Sequence, residues 1–212
     1  MKVNCKPLIL VGGGGHCRSV IDAAQSAGLT VKGILDKSAP VGTEVLGVSV
    51  IGGDDMIADL VYDWDFVVTV GFIRDNTVRQ KLCLQIQNAD GNFGTVIAST
   101  AYVSPYAQIG SGTVVLQHAT VNAAARVGAN CILNTGCVIE HDCVIGAGTH
   151  ISTGVLVNGG ARIGQNTFIG SGTVVNNGIS VCDGVIVASG SVVTKDITEP
   201  GFYRGAPAIK YR

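Results

Sequence analysis

Aromatic side chains are scarce in this 212-residue sequence: Phe, Tyr and Trp together make up 5% of it. Large cores usually lean on such residues, so a narrow interior filled by small aliphatic side chains is expected. Charge is also scarce, at 14% of residues, and nearly balanced at a net −1. That excludes the electrostatic footprint of a nucleic-acid binder and leaves no basic face for a membrane. There is no run of 18 apolar residues. The apolar segment near the start, Leu8 to Val11, is too brief for a signal peptide or a spanning helix. Seven cysteines without a secretory signal point to a reducing, cytoplasmic setting and not to a disulfide framework.

Glycine, with thirty residues, is plentiful, and so are branched aliphatics at a fixed interval. Every sixth residue from Val103 to Val193 is Val, Ile or Leu, sixteen in succession, and Ile97 extends the phase one step back. Four positions after each comes a small or β-branched residue, such as Ala107, Thr113, Ala119, Cys131, Cys137 and Cys143. A period of six matches neither a helix nor one long strand, but it fits a short strand plus a corner, repeated. Ile-Gly pairs at 109, 145 and 163, with Val-Gly at 127, recur at an interval of 18, so three strands should complete one triangular coil. Residues 97 to about 198 are expected to form this parallel β-helix, with corner glycines supplying positive φ. The three cysteines, on successive faces of one coil, read as buried small hydrophobes.

Residues 1–95 carry a different pattern. Leu8–Val11, Val31–Leu35 and Phe66–Val70 read as strands, His16–Ala27 and Asp75 to about Asn88 as helices, the latter with Val78, Leu82 and Ile86 at helical spacing. The alternation predicts a small parallel α/β domain over 1–95, half of a dinucleotide-binding sheet, with the β-helix domain and a closing segment over 96–212. The turn Gly12–Gly15 between strand and helix is a candidate phosphate cradle, because N–H groups at a helix start face an anion; the alternative is a plain tight strand-to-helix turn. Asp36, after the second strand, completes part of a dinucleotide fingerprint, but Cys17 stands where its third glycine belongs. A mononucleotide or nucleotide-sugar suits the space better.

With these segments in view, the chain resembles the hexapeptide-repeat sugar O- and N-acyltransferases of the sialic acid O-acetyltransferase group. It is most similar to those that N-acetylate nucleotide-linked 4-amino-sugars. The marks are Val11-Gly-Gly-Gly-Gly-His16, Asp36, Val70-Gly71 with Arg79, the string Asn134-Thr135 to Val138-Ile139-Glu140-His141-Asp142-Cys143, and the ending Gly205-Ala206-Pro207-Ala208. The resemblance implies a left-handed coil, a homotrimer with active sites between neighbouring coils, and acetyl-CoA as cosubstrate. The implied acceptor is a nucleotide-linked amino-sugar, a 4-amino-4,6-dideoxyhexose; the alternative is O-acetylation of sialic acid or another sugar.

Acetyl transfer to an amine needs a base and donors for an oxyanion. Histidine titrates near neutrality, and His141 sits at a corner between two carboxylates. By resemblance His141 is the base and Asp142 its partner. His150 lies half a coil further on, so its spacing places it on another side of the prism, where it should meet the His141 site only across a subunit interface. The resemblance assigns acetyl-CoA to His150, Gly159, Ser171 and Ser189, with His150 and backbone amides holding the oxyanion. It assigns the substrate to Gly14, Gly15, His16, Asp36, Gly71, Asn134 and Glu140. Lys37 follows Asp36 where some relatives have a second acid, which leaves the nucleotide open. His118, His141 and His150 are spaced 23 and 9 apart and do not stack at 18, so no metal is expected. A binding-only sugar-nucleotide protein and an NAD-dependent enzyme are the remaining rivals.

Overall fold

The structure is a computed structural model that describes residues 6–212. Residues 1–5, the start of the expected first domain, lie outside the described residues. The N-terminal layer runs β1 (Leu8–Val11), α1 (Gly15–Ser26), β2 (Val31–Leu35), β3 (Glu44–Val45), β4 (Val48–Gly52), α2 (Ile57–Leu60), β5 (Asp65–Val68), α3 (Thr77–Asn88) and β6 (Asn92–Phe93). Its sheet has the order β3-β4-β2-β1-β5-β6, parallel except for the β3–β4 hairpin. The chain passes from β1 to β2 on one side and later returns to β5 on the other. The Gly12–Gly15 turn therefore opens at the switch point, where α/β sheets bind ligands.

Local chemistry explains the helices. Cys17, Val20, Ile21 and Ala24 recur at helical spacing along α1 and are fully buried, and Gly28 ends the helix at φ 70°. In α3 the buried face is Arg79, Leu82 and Ile86. Val78, expected on that face, is 52% exposed instead, because an arginine takes the inward position for a reason given below. The third strand ends at Val68, two residues earlier than expected, and α3 begins at Thr77 after an Asp75 carboxylate that accepts the Thr77 N–H at 2.8 Å.

From Val96 the chain forms a left-handed parallel β-helix of two-residue strands. The first face stacks strands from Val96–Ile97 to Val185–Val187, the second from Tyr102–Val103 to Val192–Val193, and the third from Gln108–Ile109 to Ser180–Val181. Partners are 18 residues apart throughout, as in Ile132 with His150 and Val138 with Leu156. The aliphatics at the six-residue period point inward from Val115 to Val193 with Ala119, Cys131, Cys137 and Cys143, and are almost wholly buried. Gly201–Arg204 adds a last parallel strand to the first face and Ile209–Lys210 turns back on it.

The corners refine the sequence reading. Positive φ recurs every sixth residue from Gly112 to Gly190, but Ala124, Asn130, Asp142, Asn166 and His118 hold five of those places. The glycines after Ile109, Val127, Ile145 and Ile163 do not have positive φ. They are glycine for space: a Cβ on Gly128 would come 2.6 Å from the Ala147 nitrogen of the next coil.

The three outer faces differ. The first face presents Val96, Val114, Ile132, His150 and Phe168, all buried; Val96 and Val114 pack with the core side chains of α1. The third presents Gln108, Arg126 and Arg162 to solvent. The second presents Tyr102, Thr120, Val138, Leu156, Val174 and Val192, a mostly apolar strip on which Tyr102 and Leu156 are exposed and the others half-buried in the single chain. Among the described residues, no helix is long and apolar enough to cross a membrane.

Candidate active site

Arg79 joins the two layers. Its Nη1 donates to the carbonyls of Val68 at 2.6 Å and Val70 at 3.0 Å, and its Nη2 to that of Asn130 at 2.9 Å. One side chain from α3 thus ties the end of β5 to a corner of the coil. Phe72, just beyond β5, makes the second tie. Its ring packs edge-on against His150 and Phe168, with centroids 5.7 and 6.1 Å away. His150 Nδ1 meets the Phe72 carbonyl at 2.8 Å.

That contact decides the state of His150. A carbonyl can only accept, so Nδ1 carries the proton. Burial, with a smaller contribution from Arg79 and against the Phe72 hydrogen bond, lowers the ring's pKa to about 4. The neutral ring therefore presents a lone pair on Nε2, 3.4 Å from Asn134 Nδ2. In this tautomer its N–H is engaged by Phe72, and Asn134 Nδ2 is the side-chain donor beside its Nε2. His16, one residue into α1, is lowered to about 3 by burial and then by Arg79 and His150. It too is neutral near pH 7.

Three clefts follow one another around these side chains. The smallest, about 120 Å³, lies between Gly12, Asp36 and Val70 at the sheet's edge. Asp36 Oδ2 accepts the Gly13 N–H at 2.6 Å, and Oδ1 those of Ser38 and Ala39 at 2.7 and 3.1 Å. Burial works to raise the Asp36 pKa, but these donors outweigh it and hold the carboxyl below its usual value. Asp36 thus braces the glycine turn. The α1 start has no capping side chain and no acidic residue in its first turn, so its amides stay open to an anion. Beyond it, a cleft of about 670 Å³ gathers Gly15, His16, Gly71, Asn134 and His150. A groove of about 420 Å³ then runs down the coil past Ser152, Ser171 and Ser189 to Tyr211. Asn134 and His150 line both. Ser152 Oγ lies 2.9 Å from Ser171 Oγ, and the Gly190 N–H reaches the Ser171 carbonyl at 2.8 Å, which stacks residues 171 and 189 one coil apart.

The remaining predicted residues lie elsewhere. His141, Asp142, Glu140 and Gly159 occupy the corner between the second and third faces, with the whole second face between them and the groove. His141 is 64% exposed, and its Nδ1 meets Asp142 Oδ2 at 2.8 Å. The left-handed backbone of Asp142, φ 61°, turns its carboxylate back onto the neighbouring ring. A carboxylate accepts, so Nδ1 is the protonated nitrogen and Nε2 the free base. Glu140 Oε2 accepts from Asn122 Nδ2 at 2.9 Å. His118 is exposed at a corner of positive φ.

One chain therefore assembles a groove along one edge of the second face and a histidine–aspartate pair along the other. Sequence reasoning missed Phe72, Phe168 and Ser152. The interval of 18 from His150 to Phe168 would have revealed that stack; the Phe72 contact has no local signal. Burial raises the thiol pKa of Cys131 to about 11 and of Cys137 to about 12, in keeping with packing and not nucleophilic roles. A separate cleft of about 370 Å³ between α3 and the coil contains none of the predicted residues.

The sequence matches the PglD N-terminal domain family over residues 7–86. It matches the hexapeptide repeat of succinyl-transferase over 124–153 and the bacterial transferase hexapeptide family over 160–195. The acetyltransferase domain of PglB from Neisseria gonorrhoeae FA1090, also solved with acetyl coenzyme A, is similar with a TM-score of 0.91 and 30% identity; the match covers 97% of this chain and 100% of that one. Perosamine N-acetyltransferase from Caulobacter crescentus, solved with CoA and GDP-perosamine, is similar with a TM-score of 0.89 and 32% identity, over 97% of both chains. The uncharacterized protein L142 of Acanthamoeba polyphaga mimivirus is 34% identical over 103 residues, which are 48% of this chain and 19% of that protein. The chain thus spans less than two thirds of that relative's length.

Proposed function

The chain belongs to the hexapeptide-repeat acetyltransferases that carry a PglD N-terminal domain, and from that premise we propose that it moves the acetyl group of acetyl-CoA onto the amino group of a nucleotide-linked amino-sugar. The observation that carries the reading is the junction at Asn134 and His150. A nucleotide-sugar with its phosphates at the Gly14–Gly15 amides brings its sugar to the cleft of His16 and Gly71. A pantetheine arm extended past Ser189 and Ser171 brings its thioester to the other side of the same two residues. Donor and acceptor meet there.

The base comes from a second copy. In this reading three chains pack through the second face, whose apolar strip needs cover, and the His141 corner of one copy enters the groove of its neighbour. His141 Nε2 takes a proton from the amine as its nitrogen attacks the thioester carbon. Asp142 steadies the imidazolium, and backbone N–H groups steady the tetrahedral oxyanion. Collapse breaks the carbon–sulfur bond, and the imidazolium returns its proton to the departing thiolate. No acyl-enzyme is needed, which leaves the buried cysteines to packing. A cytoplasmic location fits the coenzyme donor and the unpaired thiols.

The sugar assigned to this site is a 4-amino-4,6-dideoxyhexose. The test is release of coenzyme A thiol from acetyl-CoA in the presence of GDP-, UDP- or dTDP-linked 4-amino-sugars, beside free sialic acid. Turnover with a nucleotide-linked amine alone is the expected result. Turnover only with sialic acid, or binding without any thiol release, would overturn the assignment.

A further inference from the structure

The smallest cleft holds a pair of charged side chains that the fold does not use. Asp36 is committed to three backbone N–H groups, but Asp54, beside it, accepts no hydrogen bond through its carboxylate among the described residues. Lys37 lines the same cleft and forms no ion pair within 4 Å among the described residues. Across from them stand Val70, Val78 and Leu82. Val78 is the residue that left the helix core and stayed 52% exposed. An apolar wall on one side with an uncommitted carboxylate and ammonium on the other suits a flat heterocycle with a polar edge. Gly12 borders the cleft, and the α1 amides follow it toward the sugar cleft. A nucleoside diphosphate laid along that path places its base here.

The edge chemistry selects among bases. Guanine presents an acceptor, O6, followed by two adjacent donors, N1–H and the N2 amino group. A lysine donates to the first, and one carboxylate accepts both donors in a bidentate fork. Uracil and thymine present a single N–H between two carbonyls, so the carboxylate's second oxygen would face an acceptor. Adenine offers an amino group beside a bare ring nitrogen, which is no better. Resting on the nucleotide-sugar reading above, we propose that this cleft recognises guanine, with Asp54 accepting from N1–H and the N2 amino group and Lys37 donating to O6. Burial, only partly offset by Lys37, pushes the Asp54 carboxyl above its usual value, as expected for a carboxylate awaiting donors.

Titration calorimetry of the full chain with GDP, UDP, dTDP and xanthosine diphosphate tests this. GDP should bind roughly tenfold or more tighter than UDP or dTDP. Asp54→Asn should abolish that preference and favour xanthosine diphosphate, whose O2 accepts from an amide, while an unchanged melting temperature certifies the variant's fold. UDP or dTDP binding as tightly as GDP, or a GDP preference that survives Asp54→Asn, would refute the guanine assignment and leave the acetyltransferase reading standing. Failure of every nucleotide to bind would instead remove the nucleotide-linked acceptor itself, and the guanine site with it.

Discussion

The ring of His141 lies over Gly159, one coil further along, so closely that a Cβ at residue 159 would come 2.6 Å from His141 Nε2. Gly159 has no positive φ, so its backbone suits alanine and only the ring stands in the way. Gly159→Ala should therefore displace the imidazole while the coil stays intact. The expected outcome is a fall in kcat of roughly a hundredfold with thermal unfolding unchanged. Full turnover in this variant would show that the ring's seat on residue 159 does not matter to the reaction.

Removing the base acts more strongly. His141→Ala should lower kcat by roughly 10²–10⁴-fold and leave the melting temperature in place, because the side chain is mostly in water. Asp142→Asn should lower kcat by less and alter its pH profile, since the amide no longer fixes which nitrogen carries the proton. Steady-state kinetics across pH 6–9 separates the two.

The buried histidines make stability depend on pH. His16 and His150 are held neutral in the fold, at about 3 and about 4, against 6.5 when exposed. Between pH 4 and 6.5 the unfolded chain binds more protons than the folded one, so stability is full above 6.5 and is lost as pH falls. The slope is about 1.4 kcal/mol per pH unit for each ring. Melting temperatures should drop through this window, and His16→Gln should flatten the fall. A melting temperature constant from pH 7 to 4.5 would contradict the assigned states.

The second face bears on assembly. Leu156 is 42% exposed on the apolar strip. Leu156→Asp should keep the coil folded, dissociate the proposed trimer and abolish turnover, because on that reading the groove then lacks its histidine. Light scattering with an activity assay reads both effects. An active monomer would show that the interface plays no part.

Much of this architecture was legible because a β-helix is a local code: each strand announces itself within six residues and pairs at a constant 18. His141 at a corner and Ser171 above Ser189 follow from that arithmetic. The conserved interval could not reveal contacts made across the chain. Phe72 reaches His150 from 78 positions away, and Arg79 reaches Asn130 from 51. The β3–β4 hairpin was missed because its turn, Leu46-Gly47, places a leucine at φ 48°, where asparagine or glycine would have signalled it. Val78 misled for a related reason. Helical spacing alone does not tell a core position from one that faces a cleft.

A subunit-mixing assay examines the shared site most directly. His141→Ala and His150→Ala chains, each first assayed alone for its residual turnover, are co-expressed with different tags and purified as mixed trimers. If each site takes His141 from one copy and His150 from the next, every mixed trimer contains one complete site of its three, and turnover returns to about a third of that of the unaltered enzyme. If both residues serve the same chain, no mixed trimer contains a complete site and the mixture stays as inactive as its parents.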